Sequence, residues 1–270
     1  MSLTAALDGV RALLVDLEGT LYEAGRPVPG AAEALAVLSA GGVRHCFVTN
    51  TTSRPRSTLA AELSAMDIGA SAGTIFTAPL AARRYLLDRS LRRCHLLVRA
   101  AVLEDLGGIE HVEESPDAVV VGDLGEDFSY ATMNRAFRLL LAGAPLVTLA
   151  RNRYYRAGDG LILDQGPFVA ALEYAAGTEA KLVGKPSAEF FRPALELLGV
   201  GAPSAAIVGD DIDVDVGGGQ AAGMRGILVR TGKFREEDLA RSRVKPDAVV
   251  GSFAEVPALL SPKRETAPRD

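Results

Sequence analysis

Residues 11–16 read RALLVD, an apolar run that ends in aspartate and is followed by Leu17-Glu18-Gly19-Thr20. A short, unbroken apolar run closed by a turn signal predicts a strand buried on both faces. Working outward, 31–40 (AAEALAVLSA) predicts a helix stopped by Gly41-Gly42, and 43–49 (VRHCFVT) a second strand. A helix over 55–66 and a strand over 74–77 (TIFT) follow. The same rhythm returns near the C-terminus. There, 180–184 (AKLVG), 205–209 (AAIVG), 226–230 (GILVR) and 248–250 (AVV) predict strands, and 188–198 and 216–222 predict helices. Strands alternating with helices give parallel βαβ units, hence an α/β fold with a doubly wound, Rossmann-like parallel-sheet core. The middle of the chain carries strands of its own (HLLV at 95–98, AVVVGD at 118–123, PLVTLA at 145–150) and helices over 130–141 and 167–176. It is read as a second α/β domain, a cap over 79–176 inserted into a core made of 1–78 and 177–270. The tail 261–270 (SPKRETAPRD) is charged and contains prolines, a composition of disordered segments.

Composition narrows the function. The 270 residues are 48% hydrophobic and 23% charged, enough to bury a full core. A formal net charge of -5 gives no general attraction to nucleic acid or anionic lipid. No basic stripe with interleaved aromatics occurs, so nucleic acid is not an expected partner. No apolar run approaches the roughly 18 residues a membrane span needs. The N-terminus lacks the cationic and long apolar regions of a secretory signal, so a cytoplasmic location is expected, and the sequon Asn50-Thr51-Thr52 is not expected to be glycosylated. Cys46 and Cys94 sit in apolar runs without a C-x-x-C, which reads as two buried thiols.

Polar groups stand where the expected core strands end. Asp16 follows ALLV, Thr49 and Asn50 follow HCFV, Lys185 follows KLVG, and Asp210 and Asp211 follow AIVG. In an open parallel sheet, ligands bind beyond the carboxyl ends of the strands, so these groups are expected to share one crevice. Carboxylates brought together repel and call for a cation, and hard oxygen ligands select Mg²⁺. A lysine and a hydroxyl beside that cation suit phosphate oxygens. A carboxylate can then attack phosphorus and divide one difficult step into two.

The motif D-L-E-G-T-L-Y at 16–22 resembles the first motif of the haloacid dehalogenase superfamily, whose usual form is D-x-D-G-T. FVTN (47–50), VGKP (183–186) and VGDDIDVDV (208–216) are similar to its later motifs. A large insertion between the second and third motifs resembles subfamily IIA, which includes sugar-phosphate, phosphoglycolate and p-nitrophenyl phosphatases. The resemblance spans roughly residues 8–260. It implies Asp16 as nucleophile and Mg²⁺ ligand, and residue 18 as acid/base that also binds Mg²⁺ through its carbonyl. Thr49 and Asn50 would hold the phosphoryl group. Lys185 would pair with Asp16 and the phosphate, Asp210 would ligate Mg²⁺, and Asp211 and Asp215 would hold metal-bound waters. It also implies a small phosphorylated substrate and a homodimer through the cap. In this sequence the acid/base position is Glu18, one methylene longer than aspartate. Because acid catalysis needs hydrogen-bond reach, weak, slow or altered turnover is expected, with good leaving groups least affected.

Other patterns are weaker. Asp211, Asp213 and Asp215 alternate as in an EF-hand loop, but Gly217 falls one place late and position twelve is Ala222. Asp213 therefore reads as a solvated or capping residue, and Gly217-Gly218-Gly219 as close helix packing. His45, His95 and His111 form no H-x-x-x-H pair, so a zinc site is not supported, and a serine triad is not expected either. Arg54 reads equally as a contact to substrate or the inserted domain and as a solvated surface residue. In the cap, Asn152, Arg153, Tyr154, Tyr155 and Asp159 are candidate substrate contacts or, for the tyrosines, core residues. Three functions compete: a phosphatase, a weak or inactive phosphate-binding module that Glu18 keeps in play, and a phosphotransferase.

Overall fold

The computed structural model describes residues 7–157 and 160–260, so Asp159 and the tail 261–270 lie outside the described residues. In chain order, β1 (Ala12–Asp16) leads through a hairpin, β2 (Tyr22–Glu23) and β3 (Arg26–Pro27), into α1 (Ala31–Ala40) and β4 (Arg44–Thr49). Next come α2 (Arg56–Ser64), β5 (Ile75–Thr77), α3 (Ala78–Asp88), β6 (Arg93–Leu97) and β7 (Glu110–His111). β8 (Ala118–Val121), α4 (Tyr130–Leu141) and β9 (Leu146–Thr148) precede a second hairpin, β10 (Tyr154–Ala157) and β11 (Gly160–Leu163). α5 (Gln165–Ala176), β12 (Lys181–Leu182), α6 (Ala188–Leu198), β13 (Ala205–Gly209) and α7 (Gly218–Ala221) follow. β14 (Arg225–Val229), α8 (Glu236–Arg241), β15 (Ala248–Val250) and α9 (Val256–Leu260) complete the described chain.

The chain packs as two compact units. One holds the described residues up to Cys46, Met66–Gly69, and those from Leu198 onward; the other holds Phe47–Ala65 and Ala70–Leu197. In these units 47–65, 70–78 and 177–197 pack with the middle segment. Two contacts show why. Arg56 on α2 gives its backbone N–H (3.0 Å) and Nε (2.7 Å) to the buried Asp105 carboxylate. Phe76 on β5 meets Phe190 on α6 edge-on, with ring centroids 5.2 Å apart.

In the first unit the parallel strands run in the order β15-β14-β13-β1. Every residue of β1 and of β13 is buried, as expected of strands covered on both faces. The first half of β4 runs beside β1, where Arg44 N–H donates to Arg11 O. The helix expected over 216–222 starts earlier, as a wide helical turn over Ile212–Gly217 that runs on into α7. Gly219 packs closely, as expected: a Cβ there would stand 2.3 Å from Ile207 Cγ2.

The second unit contains a parallel five-stranded sheet in the order β12-β9-β8-β6-β7, and β5 pairs in parallel with Phe47–Thr49 of β4. Leu96, Val120 and Val147 pack on one side with Ala78, Ala82 and Leu86 of α3. Leu97, Val119 and Val121 pack on the other with Ala136 and Leu140 of α4 and Val169 and Leu172 of α5. This sheet is therefore covered on both faces. The strand expected over 180–184 is shorter and lies at the edge of this sheet beside β9, with Leu182 opposite Thr148. It is not a strand of the first unit, because periodicity in a sequence does not say which sheet a strand joins.

Cys46 and Cys94 are buried thiols; burial first, then the charge of Asp117, pushes Cys94 up to about 12, which leaves it unreactive. No helix among the described residues is long and apolar enough to cross a membrane.

His45 on β4 and His95 on β6 lie in strands, and burial lowers the pKa of both. The unfolded chain then binds more protons than the fold between each lowered value and the ordinary value near 6.5. Stability is thus full above about pH 6.5 and is lost as pH falls below it. His95 is closest to its backbone partner at Nδ1, 3.1 Å from Val112 O. His95→Asn keeps a donor near that position without the titration. Its Tm measured from pH 8 to pH 5 should fall less steeply than wild type; an unchanged slope would remove His95 as a source of acid sensitivity.

Candidate active site

β1 ends at Asp16, and its neighbour β13 ends one residue before Asp210, with Val15 opposite Val208. Adjacent strand ends therefore deliver two carboxylates side by side. Asp215 joins them from the turn that follows: the carboxylates of Asp16, Asp210 and Asp215 each place an oxygen within 4.8 Å of the others, and all three residues are buried. Gly209 makes room for this approach, since a Cβ there would lie 2.4 Å from Asp215 Cγ. Asp211 shapes the turn rather than joining the trio. Its Oδ1 accepts from the N–H groups of Asp213 (3.1 Å) and Val214 (2.9 Å), and its own N–H donates to Asp215 Oδ2 (3.2 Å). Asp213 is exposed and accepts from Ser242 Oγ, in line with the solvated reading.

Buried like charges are costly unless something compensates them. Burial, then the charges of Asp16 and Asp215, push the Asp210 carboxyl up to about 8. Desolvation works against charge on Lys233, but Asp210, Asp16, Asp211 and Asp215 outweigh it and raise its pKa. Three clustered, all-oxygen, repelling ligands fit a hard divalent cation such as Mg²⁺. Glu18 is exposed, and its Oε1 accepts from Ala24 N–H at 3.0 Å in the β2–β3 turn.

In the second unit, Thr49 is buried at the end of β4, and its Oγ1 accepts from Thr51 N–H at 3.1 Å. The Asn50 side chain grips the peptide of Lys185 from both sides: Oδ1 accepts from Lys185 N–H (2.8 Å) and Nδ2 donates to Lys185 O (3.0 Å). Gly184 is required by crowding, because a Cβ there would stand 2.0 Å from Leu149 O and 2.8 Å from Asn50 Oδ1. Asn50, expected to hold phosphate, thus uses its amide to fix the buried Lys185. No sequence motif marks this grip between residues 135 positions apart. Arg54 pairs with Glu62 at 2.6 Å. Tyr154 and Tyr155 are exposed on β10, so neither is a core residue.

Comparison with known proteins gives the family. A haloacid dehalogenase-like hydrolase model matches residues 13–109, and a HAD-hydrolase-like model matches residues 182–256. The Bos taurus phospholysine phosphohistidine inorganic pyrophosphate phosphatase is 43% identical over 94% of this chain and 95% of its own. The chain belongs to the haloacid dehalogenase-like hydrolase family. Haloacid dehalogenase-like hydrolase domain-containing protein 2 of Homo sapiens is 46% identical over 92% of this chain and 95% of its own. Among solved structures, a 4-nitrophenylphosphatase from Thermotoga maritima has a TM-score of 0.88 at 29% identity, covering 94% of this chain and 98% of that one.

This haloacid dehalogenase-like hydrolase carries a second group with metal-ligand spacing, His95, His111 and Glu113. Its hydrogen bonds argue against a metal centre. Leu96 N–H donates to His111 Nδ1 at 3.1 Å, so a neutral His111 carries its proton on Nε2, which lies 2.9 Å from Glu113 Oε1. Nε2 is then a donor with no lone pair for an ion. That hydrogen bond is the main reason the Glu113 carboxyl is held below its ordinary range.

Proposed function

We propose that this haloacid dehalogenase-like hydrolase is a Mg²⁺-dependent phosphatase of a small phosphorylated molecule, working through an aspartyl-phosphate on Asp16. The observation that carries the reading is the buried trio of Asp16, Asp210 and Asp215 at the ends of β1 and β13. Asp16 attacks phosphorus: its Oδ–P bond forms as the bond from phosphorus to the leaving oxygen or nitrogen breaks. Glu18 gives its proton to the leaving atom. Glu18 then takes a proton from water, whose oxygen bonds to phosphorus and displaces Asp16, releasing phosphate. Asp16, Asp210 and the Glu18 carbonyl hold Mg²⁺, with Asp211 and Asp215 steadying its shell; the closeness of Asp215 to Asp16 and Asp210 supports direct ligation by Asp215 as well. The bound ion supplies positive charge against the phosphoryl oxygens. Thr49 and Lys185 bind those oxygens, and Asn50 keeps Lys185 in place.

The reading assigns catalysis to 1–78 and 177–270 and a covering, substrate-selecting role to 79–176, with pairing of two copies through that cap and a cytoplasmic location. The relatives' names support phosphoramidate, pyrophosphate and aryl phosphate bonds as candidates. One observation favours a second reading, a slow enzyme or phosphate-binding module: the Glu18 carboxylate already accepts a backbone N–H. Phosphate release from p-nitrophenyl phosphate, imidodiphosphate and pyrophosphate, with Mg²⁺ and with EDTA, tests both. Mg²⁺-dependent release is expected, and Glu18→Gln should lower it by about 10²- to 10⁴-fold on poor leaving groups and less on p-nitrophenolate. Release that survives EDTA would sink the proposal. No release from any substrate by a protein that binds Mg²⁺ would favour the binding module.

A further inference from the structure

Asp210 is enclosed in a way that the proposed chemistry does not itself require. Its Oδ2 accepts from Lys233 N–H at 2.6 Å. The same oxygen is hemmed in by two glycines with left-handed backbones, Gly19 (φ 87°) and Gly232 (φ 61°). A Cβ on Gly19 would lie 2.0 Å from Oδ2, and one on Gly232 would lie 2.1 Å from Oδ2 and 2.5 Å from Gly19 Cα. The turn at 231–233 is fastened at both sides. Thr231 Oγ1 donates to Gly19 O, and Gly232 N–H donates to Glu23 Oε1 in the β2–β3 hairpin. All of these groups lie within the first unit.

We propose that residues 231–233 are a positioning clamp for Asp210: Lys233 N–H and the two glycine faces occupy Oδ2 and so present Oδ1 to the cation. The inference rests on the Mg²⁺ reading of the trio. It follows from ligand geometry, because Mg²⁺ demands oxygens at about 2.0–2.1 Å in a near-ideal octahedron and tolerates little rotation of a carboxylate. Groups that orient ligands typically govern about 10- to 100-fold in metal affinity. Thr231, Gly232 and Lys233 are thus positioning residues, acting through Asp210. Glu23 ties the clamp to the hairpin whose Ala24 N–H holds Glu18, so one loop system sets both a metal ligand and the acid/base group.

Direct Mn²⁺ binding, read by electron paramagnetic resonance without substrate, tests the clamp. Gly232→Ala should weaken Mn²⁺ affinity by about 10- to 100-fold, and its Tm in EDTA should fall as well, because the new Cβ would meet Gly19 Cα at 2.5 Å on a left-handed backbone. Thr231→Val should weaken it in the same direction, and Thr231→Ser, which keeps the hydroxyl, should restore it. Lys233→Met keeps the N–H and removes a positive charge beside the carboxylates, so its Mn²⁺ affinity should be no weaker than wild type. A folded Gly232→Ala with wild-type Mn²⁺ affinity overturns the clamp. So does Lys233→Met reproducing the whole loss, since the ammonium would then be the agent. If Gly232→Ala does not fold, the Thr231 pair decides: equal affinity for Thr231→Val and Thr231→Ser overturns it. Failure of wild type to bind Mn²⁺, or undiminished binding by Asp16→Asn, would instead overturn the metal reading on which the clamp rests.

Discussion

Asp16→Asn is expected to lower phosphate release by at least about 10⁴-fold, as loss of a covalent nucleophile does elsewhere. The amide nearly matches the carboxylate in shape but cannot form the acyl phosphate. Fold and activity should separate in this variant. Asp16 sits in a buried cluster of like charges and helps push Asp210 up. Removing its charge relieves repulsion, so the Tm in EDTA should be no lower than wild type. Turnover and Tm measured together check both halves. An active Asp16→Asn would sink the mechanism, whereas a large fall in Tm would show that the Asp16 carboxylate is a structural element of the unit.

Gly184→Ala should be the most damaging single-methyl substitution in the second unit. The new carbon would lie 2.0 Å from Leu149 O, a backbone atom that has no flexible tail to move aside. It would also press on Asn50 Oδ1, which holds Lys185 N–H. Overpacking of this kind costs about 1–3 kcal/mol, and an unsatisfied buried polar group adds about 1–3 kcal/mol. The expected result is a Tm lower by several degrees and loss of most phosphatase turnover, checked by calorimetry and assay. Asn50→Ala should lose turnover with a smaller fall in Tm, because it removes the grip without forcing the backbone. If Gly184→Ala keeps the wild-type Tm, the loop has another conformation and the grip on Lys185 is not obligatory.

The candidate site was read from the motifs. Asp16, Thr49 and Asp210 stood out because each closes or follows an apolar strand, and strand ends are where a parallel sheet presents its side chains. Helices such as α1, α4 and α6 were legible with their ends, since a break in periodicity and a glycine mark a helix stop locally. Less was legible at β12. Its two paired residues join the five-stranded sheet, and pairing between distant segments leaves no local trace. The roles of Asn50 and Asp215 show the same limit. A sequence names an amide or a carboxylate, but whether it faces a ligand or a peptide is set by what packs across from it.

By itself, the sequence determined the α/β class, the longer alternating strands and helices but neither hairpin nor α3, the kinds of chemical group at the strand ends, and Glu18 in place of the usual aspartate. These are matters of period, residue type and short spacing. Only the tertiary structure decided that 47–65 and 177–197 pack with the middle of the chain, that Asp215 reaches Asp16 and Asp210 across Gly209, and that Thr231–Lys233 closes on Asp210 beside Gly19. Each of those depends on distances of a few ångströms between residues tens to hundreds of positions apart, which close packing fixes and local propensity does not.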